Sequence, residues 1–521
     1  MSLTKLKIQF IIVFCLLIFA KSNNYAQQWL GISSSNYAGT QSVYNNPANL
    51  SDSRYKLYVN LVANDVFLSN NYVGWNAPYS ILALLTNTAS PEYRNSKNII
   101  VFKNSYYDIN SNGEPYHLHA QNDLRGPSAL FTINDKRAIG LLTRIRTGVN
   151  LTGTSLPLAN AIRLGTDTLL LKNQPFTLSG TTLNANSYAE LGLSYSQILM
   201  SEDEDFIKVG ITIKRVVGIY NAHINIQEAD YDIIDDSSNP KKQIVRINHL
   251  KANYGYTNES AYSNANASFG WAFGNQPAGS GWGVDLGIVY EYRPDIRKFT
   301  YRDKGVQKLD PSKNKYEFKI GVSILDIGGI NYNNPNYIRN WDVNVINTQF
   351  NSPDVSTIQG SDDAFNRINQ KLGSTVDNST SNFTAGLPAA LQINLDYHLK
   401  EKFYVNSLWV QGLRGNQSIG MKMPSSLSVT PRWESKWIEV ALPLALLDNY
   451  NTLTFGIAGR FGPLFIGSDN LGSFLNINRP RGTDLYFGLS LPIFNKPPTP
   501  PNACFYEKKE RKGWRFWKKG G

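Results

Sequence analysis

The sequence is short of cysteine, of charge and of long apolar runs, and each shortage excludes a class of protein. It has two cysteines, Cys15 and Cys504; Cys15 lies in a predicted leader, so the exported chain can form no internal disulfide. No later run approaches 18 apolar residues and the mean hydropathy is −0.31, which excludes a polytopic helical membrane protein. What is abundant instead is aromatic residues and glycine, with only 17% charged residues, a composition typical of strands and turns.

Catalytic motifs are also missing from the sequence. There is no GxSxG, HExxH, phosphate-loop or paired-cysteine motif, so no enzyme activity, cofactor or metal site is expected. His117 and His119 would share one face of an extended strand, but they fall in a predicted long loop without a cysteine or third histidine nearby, which disfavours metal binding. A carboxylate–serine hydrolase inside a barrel is the enzymatic alternative, and no motif supports it.

The net charge of +11 is concentrated at the two ends of the chain. Residues 1–26 contribute three lysines, residues 495–521 contribute a net +6, and the body retains only +2. A nucleic-acid partner therefore has no basis in the charge of the body. Lys5 and Lys7 precede an apolar run from Ile8 to Ala20, and together these features predict a secretory signal that is cleaved after Ala26.

A period-two alternation of apolar and polar residues dominates the chain after residue 130. Ile139, Leu141 and Ile145, for example, alternate with small or charged residues, as expected for strands with one apolar face. Tight turns such as 134–137 and 201–205 separate some strands, whereas long polar segments at 76–126, 151–186 and 334–385 separate others. This arrangement predicts an all-β fold, a transmembrane antiparallel β-barrel of about 14 strands over residues 54–494. The alternative is a secreted β-sandwich or propeller, in which the apolar face would be buried.

Charged residues recur on the polar face of the predicted strands and are expected to face the lumen. They support two interpretations: a charged lumen that selects solutes or holds a plug, or mutual ion pairs that satisfy interior charges, and the mixture of signs favours the second. Asp326 breaks the alternation, and a β-bulge beside Gly328 would turn it inward. The candidate lumen residues are Arg144, Arg146, Lys208, Lys214, Asp285, Glu291, Glu317, Lys319, Asp396 and Arg460.

Two further features carry a resemblance to known proteins. Residues 28–50 contain Asn46-Pro47-Ala48 shortly before the first strand, and the runs 281–294 and 319–332 have the form of recurrent barrel strands. With these, the mature chain up to Phe494 resembles fatty-acid-transporter-like (FadL-like and PorV-like) barrels and an uncharacterised outer-membrane family of the Bacteroidota type. The resemblance implies that residues 27–53, with Asn46, Pro47 and Ala48 as the motif, form a hatch in or beneath the lumen, and that a hydrophobic molecule passes it.

The C-terminal tail combines a proline-rich spacer with basic and aromatic residues. In the usual barrel orientation residues 495–521 would lie in the periplasm, where they could contact an anionic lipid headgroup or a periplasmic protein; a merely solvated tail is the other interpretation. The candidate contacts are Lys508, Lys509, Arg511, Lys512, Trp514, Arg515 and Trp517.

The sequence thus predicts a protein of the cell outer membrane, in contact with membrane lipid. Its expected function is passive transport or accommodation of a hydrophobic or small ligand. The alternative is a non-transporting adaptor that anchors a secretion, surface-attachment or envelope complex through its external loops or its tail.

Overall fold

We analysed a computed structural model of the chain, which describes residues 29–498 apart from 114, 165–174, 203, 237–238, 264, 266–272, 274–276, 304–305, 352–359 and 478. The predicted signal and the candidate contacts of the tail lie outside the described residues.

Most of the secondary structure is in β-strands. They are β1 Tyr55–Asn70, β2 Val73–Trp75, β3 Tyr107–Ile109, β4 Tyr116–Arg125, β5 Ser128–Asn134, β6 Arg137–Thr154, β7 Pro175–Glu202, β8 Asp205–Asp236, β9 Asn239–Thr257, β10 Gly279–Tyr292, β11 Thr300–Asp303, β12 Val306–Leu309, β13 Phe318–Tyr332, β14 Ile338–Asn351, β15 Phe383–Gly386, β16 Ala390–Lys400, β17 Phe403–Gly412, β18 Ser426–Glu434, β19 Ile438–Ala441, β20 Leu444–Leu447, β21 Thr452–Phe455, β22 Ile457–Phe461, β23 Leu464–Ser468 and β24 Gly482–Phe494.

Helices are few and short. The α-helices are α1 Ile81–Leu85, α2 Leu156–Leu164, α3 Glu259–Ser263, α4 Gly360–Leu372 and α5 Gly472–Leu475, and the 3-10 turns are Gly39–Ser42, Pro47–Leu50, Pro91–Tyr93, Asn104–Tyr106 and Ile296–Phe299. Among the described residues no helix is both long and apolar enough to cross a bilayer.

Twenty of the strands named form one antiparallel sheet that closes on itself, while β2 with β3 and β11 with β12 form two small separate sheets. β1 pairs with β24 from Leu57↔Ile493 to Ser69↔Gly482, so the first and last strands seal the wall and leave it without a free edge. When the interrupted strands are joined, β4 with β5, β15 with β16, β19 with β20 and β21 with β22, the wall has 14 strands. The predicted fold class and strand number are confirmed.

Proline and glycine account for the interruptions of the wall. Pro127, Pro388 and Pro443 stand between the two halves of three split strands, and Gly456 stands in the fourth. Proline donates no backbone hydrogen bond and therefore breaks a ladder. At the first break, the Asn60 side chain donates to the freed carbonyl oxygens of Arg125 and Gly126, at 3.2 and 2.8 Å.

The two ends of the barrel differ in the length of their connections. The predicted tight turns at 134–137 and 201–205 lie at the same end as both termini of the wall, which we call the short-turn end. One connection there, 293–317, is long and contains the hairpin of β11 and β12. The opposite, long-loop end carries all five α-helices found among the described residues. Its segments are more ordered than the sequence predicted, because β4, β6, β7 and β14 extend into the supposed long loops.

The wall divides at β8. Residues 205–218 of this strand pair with β10, whereas residues 222–236 pair with β9, which pairs in turn with β14. The segment 244–256 lies within the predicted barrel range 54–494 and is a strand, but it belongs to this extension at the long-loop end. Period-two alternation alone could not distinguish the two positions, because an extension that packs on a helix has the same pattern.

Burial decides which face of the alternation is which. Large apolar side chains are exposed on strand after strand around the outside, among them Leu193 at 63% and Leu453 at 67%, while charged residues such as Arg146 and Asp396 are almost completely buried. A water-soluble barrel would bury the apolar face, so this inverted distribution defines a barrel whose outer surface faces lipid.

Substitution by arginine on this outer surface tests whether the surface faces lipid. Leu193→Arg should destabilise the barrel in a bilayer by about 2–4 kcal/mol, because the charge would lie in hydrocarbon. Ile346→Arg is the matched control: Ile346 is 67% exposed but lies on β14, in the extension, and its substitution should change stability by less than about 0.5 kcal/mol. Urea unfolding in vesicles measures both, and equal effects would contradict the assignment.

Candidate functional site

The N-terminal segment, residues 29–53, lies inside the barrel and is fixed to the wall through Asn46. The Asn46 Oδ1 accepts a hydrogen bond from the Ala48 amide at 2.9 Å and begins the second 3-10 turn. Its Nδ2 donates to the carbonyl oxygens of Ile288 on β10 and Val322 on β13, each at 3.2 Å. Pro47 occupies the first position of the turn, where a backbone donor is not needed. The Asn-Pro-Ala motif therefore both shapes the segment and attaches it.

Glycines on the inner face let the backbone of this segment approach the wall. A Cβ atom added to Gly287 would lie 2.1 Å from Asn46 Oδ1, and one added to Gly210 would lie 2.3 Å from the Pro47 carbonyl carbon. Any larger residue at these two positions would displace the segment. This contact is one physical reason for the glycine content of the polar face.

The beginning of the segment is held by aromatic and charged groups. Trp29 is fully buried, stacks on Tyr486 with 5.6 Å between ring centroids, and lies under the Arg125 guanidinium at 4.0 Å. The Leu30 amide donates to Asp469 Oδ2 at 2.9 Å. The segment thus contacts opposite parts of the wall along its length.

The charged residues that the sequence assigned to the lumen are, with one exception, buried or nearly so and ion-paired. The exception is Glu317, which is half-buried and lies in the connection just before β13 begins. The ion pairs are Arg144–Asp123, Arg146–Glu190, Arg146–Asp326, Lys208–Glu291, Lys214–Asp285, Lys319–Asp396 and Arg460–Glu439. This geometry supports the pairing interpretation of these charges.

The most buried of these groups meet at Asp326. Its carboxylate contacts Arg146 Nη1 at 2.7 Å and Lys214, and its own backbone amide donates to Asp285 Oδ1 at 2.7 Å. Asp326 has a φ of +57°, and the register between β10 and β13 shifts between Val284 and Leu286. The bulge inferred from the broken alternation is present and turns the carboxylate inward.

Several partners in these ion pairs were not found from the sequence. Asp123 and Arg125 lie on β4, inside a segment that was interpreted as a loop, although their two-residue spacing was a signal of a strand. Arg293 and Asp52 lie outside the strands, where alternation gives no information, and they pair at 2.6 Å. Glu190 and Glu439 lie on the predicted polar face but were not among the candidate lumen residues, and Arg432 and Glu434 were missed as well.

The two histidines also lie on β4 and not in a loop. Both are buried, their ring centroids are 5.4 Å apart, and His117 Nε2 lies 2.8 Å from Asp448 Oδ2. In the described part of the chain no group of three or more His, Cys, Asp or Glu side chains is placed to hold a metal ion.

An apolar cleft is the main feature of the long-loop end. It encloses about 200 Å³ between β8, β9, β14 and helix α4, and its lining side chains are all aliphatic or aromatic, including Leu178, Ile226, Leu250, Phe350 and Leu372. Helix α4 closes it with an apolar face, and its Phe365 stacks on Tyr256 with 4.2 Å between centroids. The sequence did not indicate this cleft, because it is built from strands and a helix far apart in the chain.

These features define an outer-membrane-type β-barrel with a filled lumen. Residues 47–469 match a family of unknown function, DUF5723, and the chain belongs to that family. Comparison with curated proteins gives no match.

Three solved structures of outer-membrane transporters or their homologues are similar to this chain. The toluene transporter TodX of Pseudomonas putida is 10% identical with a TM-score of 0.38, over 91% of this chain and 99% of that one. The toluene transporter TbuX of Ralstonia pickettii is 8% identical with a TM-score of 0.36, also over 91% and 99%. A FadL homologue of Pseudomonas aeruginosa is 10% identical with a TM-score of 0.31, over 90% and 99%.

Enlarging Gly287 tests the attachment of the N-terminal segment. Gly287→Val should lower the stability of the barrel by about 1–3 kcal/mol and raise its conductance in planar bilayers, because the new side chain would displace Asn46. Gly415→Val is the control, since a Cβ there meets no atom within 4 Å. Unchanged conductance of the Gly287 variant relative to this control would argue against a sealed lumen.

Removing the charge of Asp326 tests the buried ion pairs. Asp326→Asn should destabilise the barrel by about 3–5 kcal/mol, because Arg146 and Lys214 would each lose a buried partner. Asp295→Asn removes an exposed pair with Lys298 and should cost at most about 1 kcal/mol. Denaturant midpoints of the two variants measure the difference, and similar midpoints would contradict the role given to Asp326.

Proposed function

We propose that this protein is a barrel of the cell outer membrane that binds a small hydrophobic molecule in its apolar cleft and admits it passively to the membrane. The observation that carries the proposal is the cleft itself: a concave site lined only by aliphatic and aromatic side chains, at the end of a barrel whose outer face is apolar. The fold it shares with the toluene transporters TodX and TbuX is consistent with this function.

The volume of the cleft limits the size of the ligand. An apolar cavity of about 150 Å³ in another protein accepts benzene, so a cleft of about 200 Å³ is matched to a single ring or a short alkyl chain. The lining residues offer Tyr231, Tyr254 and Phe350 for contact with a ring face.

The proposal also assigns an orientation. Outer-membrane barrels have short turns in the periplasm and long loops outside, so the cleft would face the exterior and the tail after Phe494 the periplasm. The leader of residues 1–26 would be removed on export. In this orientation the N-terminal segment acts as a hatch between the cleft and the periplasm, held by Asn46, Pro47 and Ala48.

The adaptor alternative rested on the external loops and on residues of the tail that lie outside the described part of the chain. Nothing observed in the described residues favours it, and we do not propose it.

Filling the cleft tests the proposed function. Ala252→Phe places a ring in the cleft and should weaken binding of toluene at least about tenfold, because the space for one ring is taken. Lys251→Phe is the matched control, since the neighbouring side chain is exposed on the other face of β9. Displacement of a fluorescent apolar probe from the barrel in lipid nanodiscs measures both variants. Equal affinity of the two would refute binding in the cleft.

A further inference from the structure

A second cavity, unlike the cleft, lies between the N-terminal segment and the wall. It encloses about 60 Å³ and is lined by serine, asparagine and charged side chains from the segment, β8, β10, β13 and β16 and from the connection before β13. We call it the seam. Through Arg54 and Asn314 it adjoins a larger cavity of about 820 Å³ at the short-turn end.

Positive charge exceeds negative charge in the seam. Four cations, Arg54, Lys208, Lys315 and Lys319, line it together with only two carboxylates, Asp52 and Glu291. Further ion pairs link the lining residues to Arg293, Arg432, Asp396 and Glu434. With these four groups included, there are six cations and four carboxylates.

The excess of positive charge affects Lys315, which lies in the connection outside the membrane wall. Its side chain is completely buried and contacts Asp52 Oδ1 at 3.0 Å. Burial, and after it the neighbouring Arg54, lowers the pKa of Lys315 to about 7 in spite of this contact. A further anion in the seam would stabilise the charged form of Lys315.

Hydrogen-bonding groups in the seam are also left without partners. Arg54 Nη1 and Asn45 Nδ2 are buried donors with no hydrogen-bond partner among the described residues, and the Arg54 side chain is only 7% exposed. Gln392 Oε1 is a buried acceptor that likewise has no hydrogen-bond partner among the described residues. Two donors and one acceptor around a small cationic space suit an oxyanion that keeps a proton of its own, as phosphate does near neutral pH.

We propose that the seam is a binding site for a phosphate group, which joins the N-terminal segment to the wall. The cavity has room for the phosphate itself. The rest of a phosphate monoester would extend into the larger cavity at the short-turn end. The site is independent of the proposed function, because the apolar cleft lies at the other end of the barrel.

Equilibrium dialysis of radiolabelled inorganic phosphate against the full-length mature barrel in detergent tests the site, at constant ionic strength in chloride. We expect saturable binding of about one phosphate per barrel. Competition by glycerol 3-phosphate would extend the site to monoesters, and failure to compete would restrict it to the free ion. Absence of saturable binding would overturn the proposal and leave the seam to water.

Three variants locate the bound phosphate. Arg54→Gln and Asn45→Ala should each raise the phosphate concentration for half-saturation, the first at least about tenfold, because a charge-assisted hydrogen bond is lost. Arg246→Gln removes a partly exposed arginine at the long-loop end and should leave binding unchanged. If Arg54→Gln does not assemble, as judged by heat-modifiable gel mobility, Asn45→Ala decides, since Asn45 belongs to no ion pair. Equal binding by all variants would identify adventitious surface binding and overturn the proposal.

Discussion

In a closed strand wall every second side chain must point into the lumen, and lipid on the outside requires that this inner set carry the polar residues. The lumen of this barrel is therefore crowded with charges that water only partly reaches. Each of them needs a partner inside, and Asp326, which serves both Arg146 and Lys214, shows how closely the pairing is arranged. The N-terminal segment, the glycines and the seam are all consequences of filling such a space.

Apolar packing, such as that of Val43 and Leu50 against Leu130 and Leu142, attaches part of the segment that fills the lumen. Asn46 instead uses the carbonyl oxygens of two wall strands, and the absence of side chains at Gly287 on β10 and Gly321 on β13 brings those strands within reach. Where aromatic contact is available, as between Trp29 and Tyr486, it is combined with a cation. The result is a plug held by hydrogen bonds and ion pairs, which is specific in position.

Features that depend on the two-residue alternation could be predicted from the sequence. Features that depend on contacts between residues far apart in the chain could not. The closed barrel, its 14 strands and the bulge at Asp326 follow from alternation and its one interruption. The same rule missed β4, because His117 and His119 were polar residues in what was taken for a polar loop. It could not distinguish β9 from a wall strand. It also carried no information on Asp52, two of whose partners, Arg293 and Lys315, lie more than 200 positions away.

The separation of the cleft from the charged lumen limits how a bound ligand could move on. A ring that buries about 150 Å² gains roughly 4 kcal/mol in an apolar site and loses it among ion pairs. Opening a path past Arg146 and Asp326 would add about 3–5 kcal/mol for each buried pair broken. Passage straight through the lumen is therefore opposed both by the loss of apolar burial and by the cost of breaking buried ion pairs. Movement of the whole N-terminal segment would in turn break the ion pairs of Asp52 with Arg293 and Lys315. Escape from the cleft along the apolar outer face of the wall avoids both penalties, because it neither brings the ring among the charges nor separates them.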